Sequence, residues 1–377
     1  MALTIGRNES NVTFLFQLGC VNFAESMSAF NNIKVLIPSG AGAPGFAGII
    51  RCLRKDERIE IFAGDVQENP YGKALADHFF VMPASSADDY VEKICEICKK
   101  YQIHVLLPIT TRELLPVAQH KSAIEALGTK VVISDFEGLE IANNKGRLLH
   151  HQIKNETDIP VPDFGFAMGK KGFIETANQL FEMHEKLCFK PVEGNGSRGF
   201  GVIVNEVNDD FLHEKAGNTA LTVKEWSARM PKEFDDLLMV CAYLPGVEYS
   251  VDLLCDHGKV LVCVPRTRDK MIGGISVAGT FENNFTLKAF CMSLVNQLNL
   301  HGPIGIQWKE DANGMPYLLE INPRLQGTTS ACELVGVNFP LLAVKMVLGE
   351  DLALSGLKIA WGKKFVRYWE DAVITDI

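Results

Sequence analysis

The stretch from residue 187 to residue 204 reads LCFKPVEGNGSRGFGVIV, and it decides the fold. Two short apolar runs, 187–189 and 202–204, are typical of β-strands. The loop between them begins at Lys190 and is rich in glycine, which lets the backbone approach a bound group closely. Backbone N–H groups of such a loop can enclose a phosphate chain. The pattern indicates either a phosphate-binding loop or a plain polar hairpin.

The loop supplies candidate phosphate-binding residues of three kinds: cations, a hydroxyl and glycines. The positive charges would face the negative charges of a phosphate chain. A solvated polar hairpin stays open as the alternative for this stretch taken alone. The candidates are Lys190, Gly194, Gly196, Ser197, Arg198 and Gly199.

A second polar pattern lies on two consecutive apolar runs further along the chain. Gln307 lies on the first run, Glu320 and Asn322 lie on the second, and the polar segment 310–316 separates them. Residues two apart on a strand share a face, so Glu320 and Asn322 are expected on one side. A hairpin would bring Gln307 beside them. Such oxygen-bearing side chains suit Mg²⁺ bound to ATP, and a solvated edge hairpin is the alternative.

In this order, the glycine loop and the polar hairpin resemble the ATP-grasp superfamily, and more narrowly its carbamoyl-phosphate-synthase-type proteins. The resemblance runs from about residue 32 to about residue 350. It implies an α/β fold in which a Rossmann-like N-terminal (pre-ATP-grasp) domain precedes a two-lobed α+β ATP-grasp domain. The expected segments are a poorly determined extension (1–31), the Rossmann-like domain (32–140), the small lobe with the glycine lid (141–240), and the large lobe with the metal site and a C-terminal appendage (241–377).

The resemblance also implies roles for single residues. Lys145 would begin a helix and contact the nucleotide phosphates, and Glu248 would accept the ribose hydroxyls. Arg324 would hold the transferring phosphate. The expected ligands of Mg²⁺ or Mn²⁺ are the three residues of the polar hairpin, Gln307, Glu320 and Asn322.

The apolar run 238–245 is expected to join the two lobes and to pack against adenine. Many relatives have a glutamate in this strand, where this chain has Ala242. The adenine contact is therefore expected to depend on backbone groups of Cys241, Ala242 and Tyr243 and on apolar packing.

Two arginines, Arg266 and Arg268, follow the apolar run 260–264. They would point to the same side if the strand continues. Because a guanidinium binds a carboxylate through two parallel hydrogen bonds, we expect one of them to anchor the acceptor carboxylate or the acyl-phosphate. A solvated strand end is the alternative.

The N-terminal part alternates strand and helix patterns, which favours a doubly wound parallel sheet. Its first turn reads GAGAPG from Gly40 to Gly45, and Asp65 ends the next predicted strand. Dinucleotide-binding folds place their glycine turn and ribose-binding acid in this way. Three interpretations stay open: a dinucleotide site, a contact with the carboxylate or second substrate, and a purely structural turn.

Composition excludes several classes of function. The chain has 377 residues, a net charge of −9 and no basic block, which argues against nucleic acid as a partner. No apolar run reaches the ~18 residues of a membrane span. The 10 cysteines are scattered, which fits a reducing cytoplasm. A homodimer is the expectation that the family suggests.

The resemblance implies an ATP- and magnesium-dependent ligase that joins a small-molecule carboxylate to an amine through an acyl-phosphate. One alternative is carboxyphosphate chemistry on bicarbonate, as in carbamoyl-phosphate synthesis. The single ATP-grasp unit argues against a complete enzyme of that type. Two further alternatives are a dinucleotide-dependent oxidoreductase that uses the turn at Gly40–Gly45, and a nucleotide-binding protein without catalysis.

Overall fold

The structure is a computed structural model that describes residues 31–192, 199–206, 220–231 and 236–374. Nearly all of the predicted extension 1–31 lies outside these residues. Four of the predicted phosphate-loop residues also lie outside them: Gly194, Gly196, Ser197 and Arg198.

The N-terminal domain is built on a parallel sheet covered by helices on both faces. The strands are β1 (Ile33–Ile37), β2 (Ile59–Asp65), β3 (His78–Val81), β4 (Val105–Leu106) and β5 (Lys130–Val131), and the helices are α1 (Phe46–Leu53), α2 (Tyr90–Tyr101), α3 (Thr111–Gln119) and α4 (Lys121–Glu125). The strand order is β3-β2-β1-β4-β5. On β1, Val35 and Ile37 belong to one core and Leu36 to another, because successive side chains point to opposite faces.

Two helices, α5 (Phe136–Ala142) and α6 (Lys145–Lys154), follow this domain. Leu148 and Leu149 of α6 are buried in the same apolar core as Val251 and Ile306 of the large lobe. Although the small lobe was expected from residue 141, α6 therefore packs with the large lobe, since its apolar face is buried there.

The small lobe is a five-stranded sheet that two helices cover. Its strands are β6 (Phe164–Met168), β7 (Lys186–Pro191), β8 (Gly201–Val204), β9 (Ala220–Leu221) and β10 (Leu237–Ala242), and its helices are α7 (Gly169–Phe181) and α8 (Val223–Arg229). The order is β6-β10-β7-β8-β9. The ring of Phe189 lies edge-on between Phe173 and Trp226, at centroid distances of 5.1 and 5.0 Å, and so ties the sheet to both helices.

The large lobe has an antiparallel sheet and a smaller one beside it. The strands are β11 (Glu248–Asp256), β12 (Lys259–Thr267), β13 (Lys270–Ile272), β14 (Ile275–Thr280), β15 (Gly302–Glu310), β16 (Pro316–Asn322) and β17 (Lys364–Val366), with helices α9 (Phe285–Gln297) and α10 (Phe339–Leu348). The sheet orders are β12-β11-β15-β16 and β13-β14-β17. β15 and β16 form the expected hairpin, and their register places Gln307 opposite Glu320.

Helix α10 is strongly apolar because it is buried between the N-terminal domain and the large lobe. Phe339 and Val344 share a core with Phe46 of α1 and Val264 of β12. Within the described ranges, no single helix has the length and apolarity of a membrane span. Only the 3-10 helix Thr329–Val335 taken together with α10 reaches that threshold, and the pair is bent by 97°.

The contact of Gly138 with the large lobe gives a test of this architecture. A Cβ at Gly138 would meet the backbone carbonyl oxygen of Leu298 far inside van der Waals contact. We expect Gly138→Ala to lower the free energy of unfolding by about 1–3 kcal/mol, measured by urea denaturation, because this backbone cannot move aside.

Gly356→Ala is the matched control, because its Cβ would meet nothing within 4 Å. An unchanged or increased stability of Gly138→Ala would contradict the close packing of α5 on the large lobe, since alanine is otherwise the better helix residue by up to about 1 kcal/mol.

Candidate functional site

A cavity of about 860 Å³ opens where the N-terminal domain and the two lobes meet. The glycine turn after β1 contributes Pro44 and Gly45, and the small lobe contributes Lys190 and Cys241. The large lobe contributes the polar face of its sheet. The sequence-predicted residues on the cavity wall are Lys145, Lys190, Cys241, Ala242, Tyr243, Glu248, Arg266, Arg268, Gln307, Glu320, Asn322 and Arg324.

The centre of this wall is the carboxylate of Glu320. Lys145, the first residue of α6, places its ammonium 2.9 Å from Glu320 Oε2. Burial raises the pKa of Glu320, but the charges of Lys145 and Lys190 and the hydrogen bonds outweigh burial and lower it to about 2. Glu320 is therefore ionised throughout the physiological pH range.

Asn322 and Arg324 extend this polar network towards the N-terminal domain. Asn322 Nδ2 donates to Glu320 Oε1 at 2.9 Å, and Arg324 Nη2 donates to Asn322 Oδ1 at 3.2 Å. Arg324 Nε also donates to Thr111 Oγ1 in α3, at 3.1 Å. Burial lowers the pKa of Arg324, while the charges of Glu320 and Glu113 oppose that shift. Two domains thus fix the orientation of this guanidinium.

The chemistry of the donor set at the β15–β16 hairpin fits a hard divalent cation. Glu320 provides an ionised carboxylate, and Gln307 and Asn322 provide amide oxygens, which are the donor types that Mg²⁺ takes. In the structure, the ammonium of Lys145 and the amide of Asn322 engage the two oxygens of Glu320. The carboxylate therefore already has cationic and polar partners on both sides.

A second ionic group lines the same cavity. Arg268 Nε lies 2.9 Å from Glu248 Oε1, and Lys309 Nζ lies 3.7 Å from Glu248 Oε2. Arg268 also donates to Ser250 Oγ at 3.1 Å and to the Gly274 carbonyl at 2.8 Å. Glu248, expected to bind ribose hydroxyls, is thus ion-paired with two cations in this structure.

Arg266 and Arg268 lie on the same side, as expected, but they differ in their partners. Arg266 is 1% exposed, and its Nε lies 2.8 Å from Asp252 Oδ2, which is equally buried. Asp252 also accepts from Gln326 Nε2 at 3.2 Å. Arg266 therefore neutralises a buried carboxylate, whereas Arg268 pairs with Glu248, a more exposed carboxylate that lines the cavity.

The backbone at the lobe junction is already engaged. Ala242 N donates to the Asp163 carbonyl at 2.9 Å, and Tyr243 N donates to the Lys186 carbonyl at 3.0 Å. These two N–H groups are therefore occupied in this structure, and an adenine contact through the backbone groups of Cys241, Ala242 and Tyr243 stays a prediction. Cys241 and Ala242 still contribute apolar surface to the cavity.

The carboxylate of Asp65 holds the glycine turn in place through hydrogen bonds from backbone N–H groups. Asp65 Oδ2 accepts from Gly42 N at 2.9 Å, and Oδ1 accepts from Gln67 N at 3.0 Å. A Cβ at Gly45 would lie 2.8 Å from Gly327 Cα, so the turn also packs closely against the large lobe. Because both oxygens of Asp65 are bound to backbone, its geometry favours the structural interpretation over a ribose contact.

Sequence reasoning missed three residues that contact this network: Thr111, Ser250 and Lys309. Ser250 and Lys309 could have been predicted from the sequence. Ser250 is two residues after Glu248 and Lys309 is two residues after Gln307 on their strands. Residues at that spacing share a face. Thr111 carried no such signal, because its domain contacts the hairpin only through the tertiary fold.

Comparisons with known proteins agree with this architecture. Residues 233–365 match the family model "ATP-grasp in the biosynthetic pathway with Ter operon", and residues 43–132 match "PylC-like, N-terminal domain". A carbamoyl phosphate synthase large chain from Agathobacter rectalis is 27% identical over 288 residues, which cover 74% of this chain and 24% of that relative. The chain thus spans about a quarter of the length of that relative.

Solved structures share the fold over most of the chain. The ADP complex of PurK, an N5-carboxyaminoimidazole ribonucleotide synthetase, gives a TM-score of 0.64 at 14% identity, with 89% of this chain and 81% of that chain covered. An L-amino acid ligase from Bacillus licheniformis gives 0.55 at 17% identity, with 85% and 74% covered. The resemblance to ATP-grasp proteins is confirmed, as is the expected α/β fold in which an N-terminal domain, here matched as PylC-like, precedes an ATP-grasp domain.

Substitution of Arg266 and of Arg268 tests whether the two arginines differ in their contribution to stability. We expect Arg266→Met to lower the free energy of unfolding by about 3–5 kcal/mol, because it leaves Asp252 charged, buried and without its cation. Urea denaturation monitored by circular dichroism measures this change.

Arg268→Met is the matched variant and should cost clearly less. Glu248 keeps Lys309 at 3.7 Å and faces the cavity. Equal losses of stability for the two variants would contradict the assignment of Arg266 to the core and of Arg268 to the cavity wall.

Proposed function

We propose that this protein is an ATP- and Mg²⁺-dependent ligase that activates a small-molecule carboxylate as an acyl-phosphate and joins it to an amine. The observation that carries the proposal is the convergence of Lys145, Lys190, Glu320, Asn322 and Arg324 on one wall of the cavity. Three cationic side chains around an ionised, partly buried carboxylate suit a bound triphosphate. The ATP-grasp fold and the ligases and synthetases that share it support the same chemistry.

The phosphate end of the substrate would lie against this wall. Lys145 and Lys190 would neutralise phosphate charge, and Arg324 would orient the transferring group. Gln307, Glu320 and Asn322 would hold Mg²⁺, which supplies charge neutralisation at the β- and γ-phosphates when bound. Mn²⁺ would suit the same oxygen donors.

The acceptor end would lie near Arg268 and the glycine turn at Pro44–Gly45. A carboxylate oxygen would attack the γ-phosphorus, the bond to the bridging oxygen would break, and ADP would leave with its electron pair. An amine would then attack the acyl carbon, lose a proton and release phosphate. Positioning in a site that excludes water accounts for most of this catalysis, since water would hydrolyse the acyl-phosphate.

Bicarbonate is the alternative acceptor, which the carbamoyl phosphate synthase relative favours. The cavity of about 860 Å³ is in the range of pockets for drug-sized ligands and would hold the nucleotide as well, so its volume does not distinguish the two acceptors. A dinucleotide-dependent oxidoreductase is disfavoured by the backbone contacts of Asp65. A location in a reducing cytoplasm and a homodimer remain predictions. The former is supported by the nine free cysteines among the described residues.

The test combines Mg²⁺-ATP, pools of carboxylic acids and bicarbonate, and hydroxylamine, which traps acyl-phosphates as hydroxamates. We expect one pool to yield a hydroxamate and ADP. Glu320→Gln should lower the rate at least 100-fold, because it removes the charge that binds the cation. Glu125→Gln, at an exposed helix end, should leave the rate unchanged.

ADP release without hydroxamate in every organic pool, but dependent on bicarbonate, would favour the carboxyphosphate alternative. Unchanged turnover in Glu320→Gln would show that this carboxylate is not part of the metal site.

A further inference from the structure

A cluster of two histidines and an aspartate lies at the far end of the large-lobe sheet. Asp256 ends β11, His257 lies in the tight turn between β11 and β12, and His301 immediately precedes β15. Strand β11 begins at Glu248 in the cavity and ends at Asp256, a length of roughly 27 Å at 3.4 Å per residue. None of the three residues lines the cavity, so the cluster is separate from the proposed active site.

The potential ligand atoms of the cluster are close together. One nitrogen of each imidazole and a carboxylate oxygen of Asp256 all lie within 4.8 Å of one another. Asp256 Oδ1 lies 3.3 Å from His301 Nδ1 and 4.0 Å from His257 Nε2. Ligands of a tetrahedral zinc ion with bonds of about 2.0–2.1 Å are roughly 3.3 Å apart. One pair already has this separation, and the exposed side chains of Asp256 and His257 need only a small shift.

His301 supplies a second, independent observation. Its side chain is 9% exposed, and Nδ1, which lies 3.3 Å from Asp256 Oδ1, makes no hydrogen bond to any described residue. Ser134 fixes its backbone, since His301 N donates to Ser134 Oγ and Ser134 Oγ donates to the His301 carbonyl, both at 2.8 Å. A buried polar atom without a partner is rare, and a bound cation would satisfy it.

The backbone holds the other two ligands in place. His257 and Gly258 have φ values of +42° and +81°, which form the tight turn, and Gly258 N donates to the Leu300 carbonyl at 2.9 Å. The turn is therefore bound to the residue that precedes His301. The imidazoles of His257 and His301 stack with centroids 4.2 Å apart. All three ligands thus come from segments whose relative positions are fixed before any ion binds.

We propose that Asp256, His257 and His301 bind a divalent transition-metal ion, preferentially Zn²⁺, at a structural site distinct from the ATP-grasp cavity. Two imidazoles and a carboxylate are ligands that zinc accepts, and a water molecule would complete a tetrahedron. The ion pair of Lys121 and Asp135, with nitrogen and oxygen 2.9 Å apart, lies near the site and adds no net charge to it. Because Ser134 belongs to the segment after β5, the ion would strengthen the junction between the N-terminal domain and the large lobe.

The test uses the untagged full-length protein, stripped with a chelator, dialysed and titrated with Zn²⁺ in the absence of nucleotide. We expect one equivalent to bind and to raise the melting temperature. His257→Asn removes a ligand at an exposed position whose left-handed backbone asparagine tolerates, and it should weaken binding at least tenfold, as should His301→Ala. His184→Ala is the control, because His184 also lies 2.9 Å from a carboxylate, that of Asp163, but has no third His, Cys, Asp or Glu ligand among the described residues.

Substitution with Co²⁺ identifies the ligands, because the cysteines of the chain could also bind metal. Visible ligand-field bands without a thiolate charge-transfer band are expected, and they should be lost in His257→Asn. The absence of one-equivalent binding, a thiolate band, or equal affinity in His257→Asn and wild type would each overturn the proposal. If circular dichroism shows that His301→Ala does not fold, His257→Asn alone decides.

Discussion

The ionised state of the partly buried Glu320 carboxylate is the constraint on which the candidate site depends. A carboxylate that is largely removed from water is stabilised in its charged form by neighbouring cations. Those cations come from different parts of the fold, Lys145 from the start of α6 and Lys190 from the small lobe. The site is therefore complete only when the small lobe, α6 and the β15–β16 hairpin converge. The apolar core that these elements share holds the charged groups in these relative positions.

In the large-lobe sheet, alternate side chains of one strand point to opposite faces, so that one face carries polar site residues and the other packs in the core. On β11, Glu248, Ser250 and Asp252 share a face, and Arg266 and Arg268 approach that face from β12 and the residues that follow it. The intervening Val251 and Leu253 point the other way, into the core beneath α9. The two ion pairs on this face differ in how far their side chains are exposed to solvent, and we infer different roles from that difference. Asp252 and Arg266 are each 1% exposed, whereas Arg268 is 6% and Glu248 16% exposed.

Local periodicity predicted much of this arrangement from sequence. Alternating strands and helices predicted the parallel sheet, and a spacing of two predicted that Glu320 and Asn322 share a face. Contacts distant in sequence were not predictable. The partner of Arg266 depends on the β11–β12 register, and the closure of the glycine turn by Asp65 depends on tertiary geometry. His257 and His301 gave no motif, because the ligand atoms come together only when the turn docks beside the start of β15.

The most direct test of the central claim is a calorimetric titration of the protein with Mg²⁺-ATP and, separately, with NADH. The account predicts one ATP per chain, no binding of NADH, and an affinity for ATP at least tenfold weaker in Lys190→Met, a loss of about 1.4 kcal/mol. Binding of NADH, absence of ATP binding, or an affinity unchanged in Lys190→Met would contradict it.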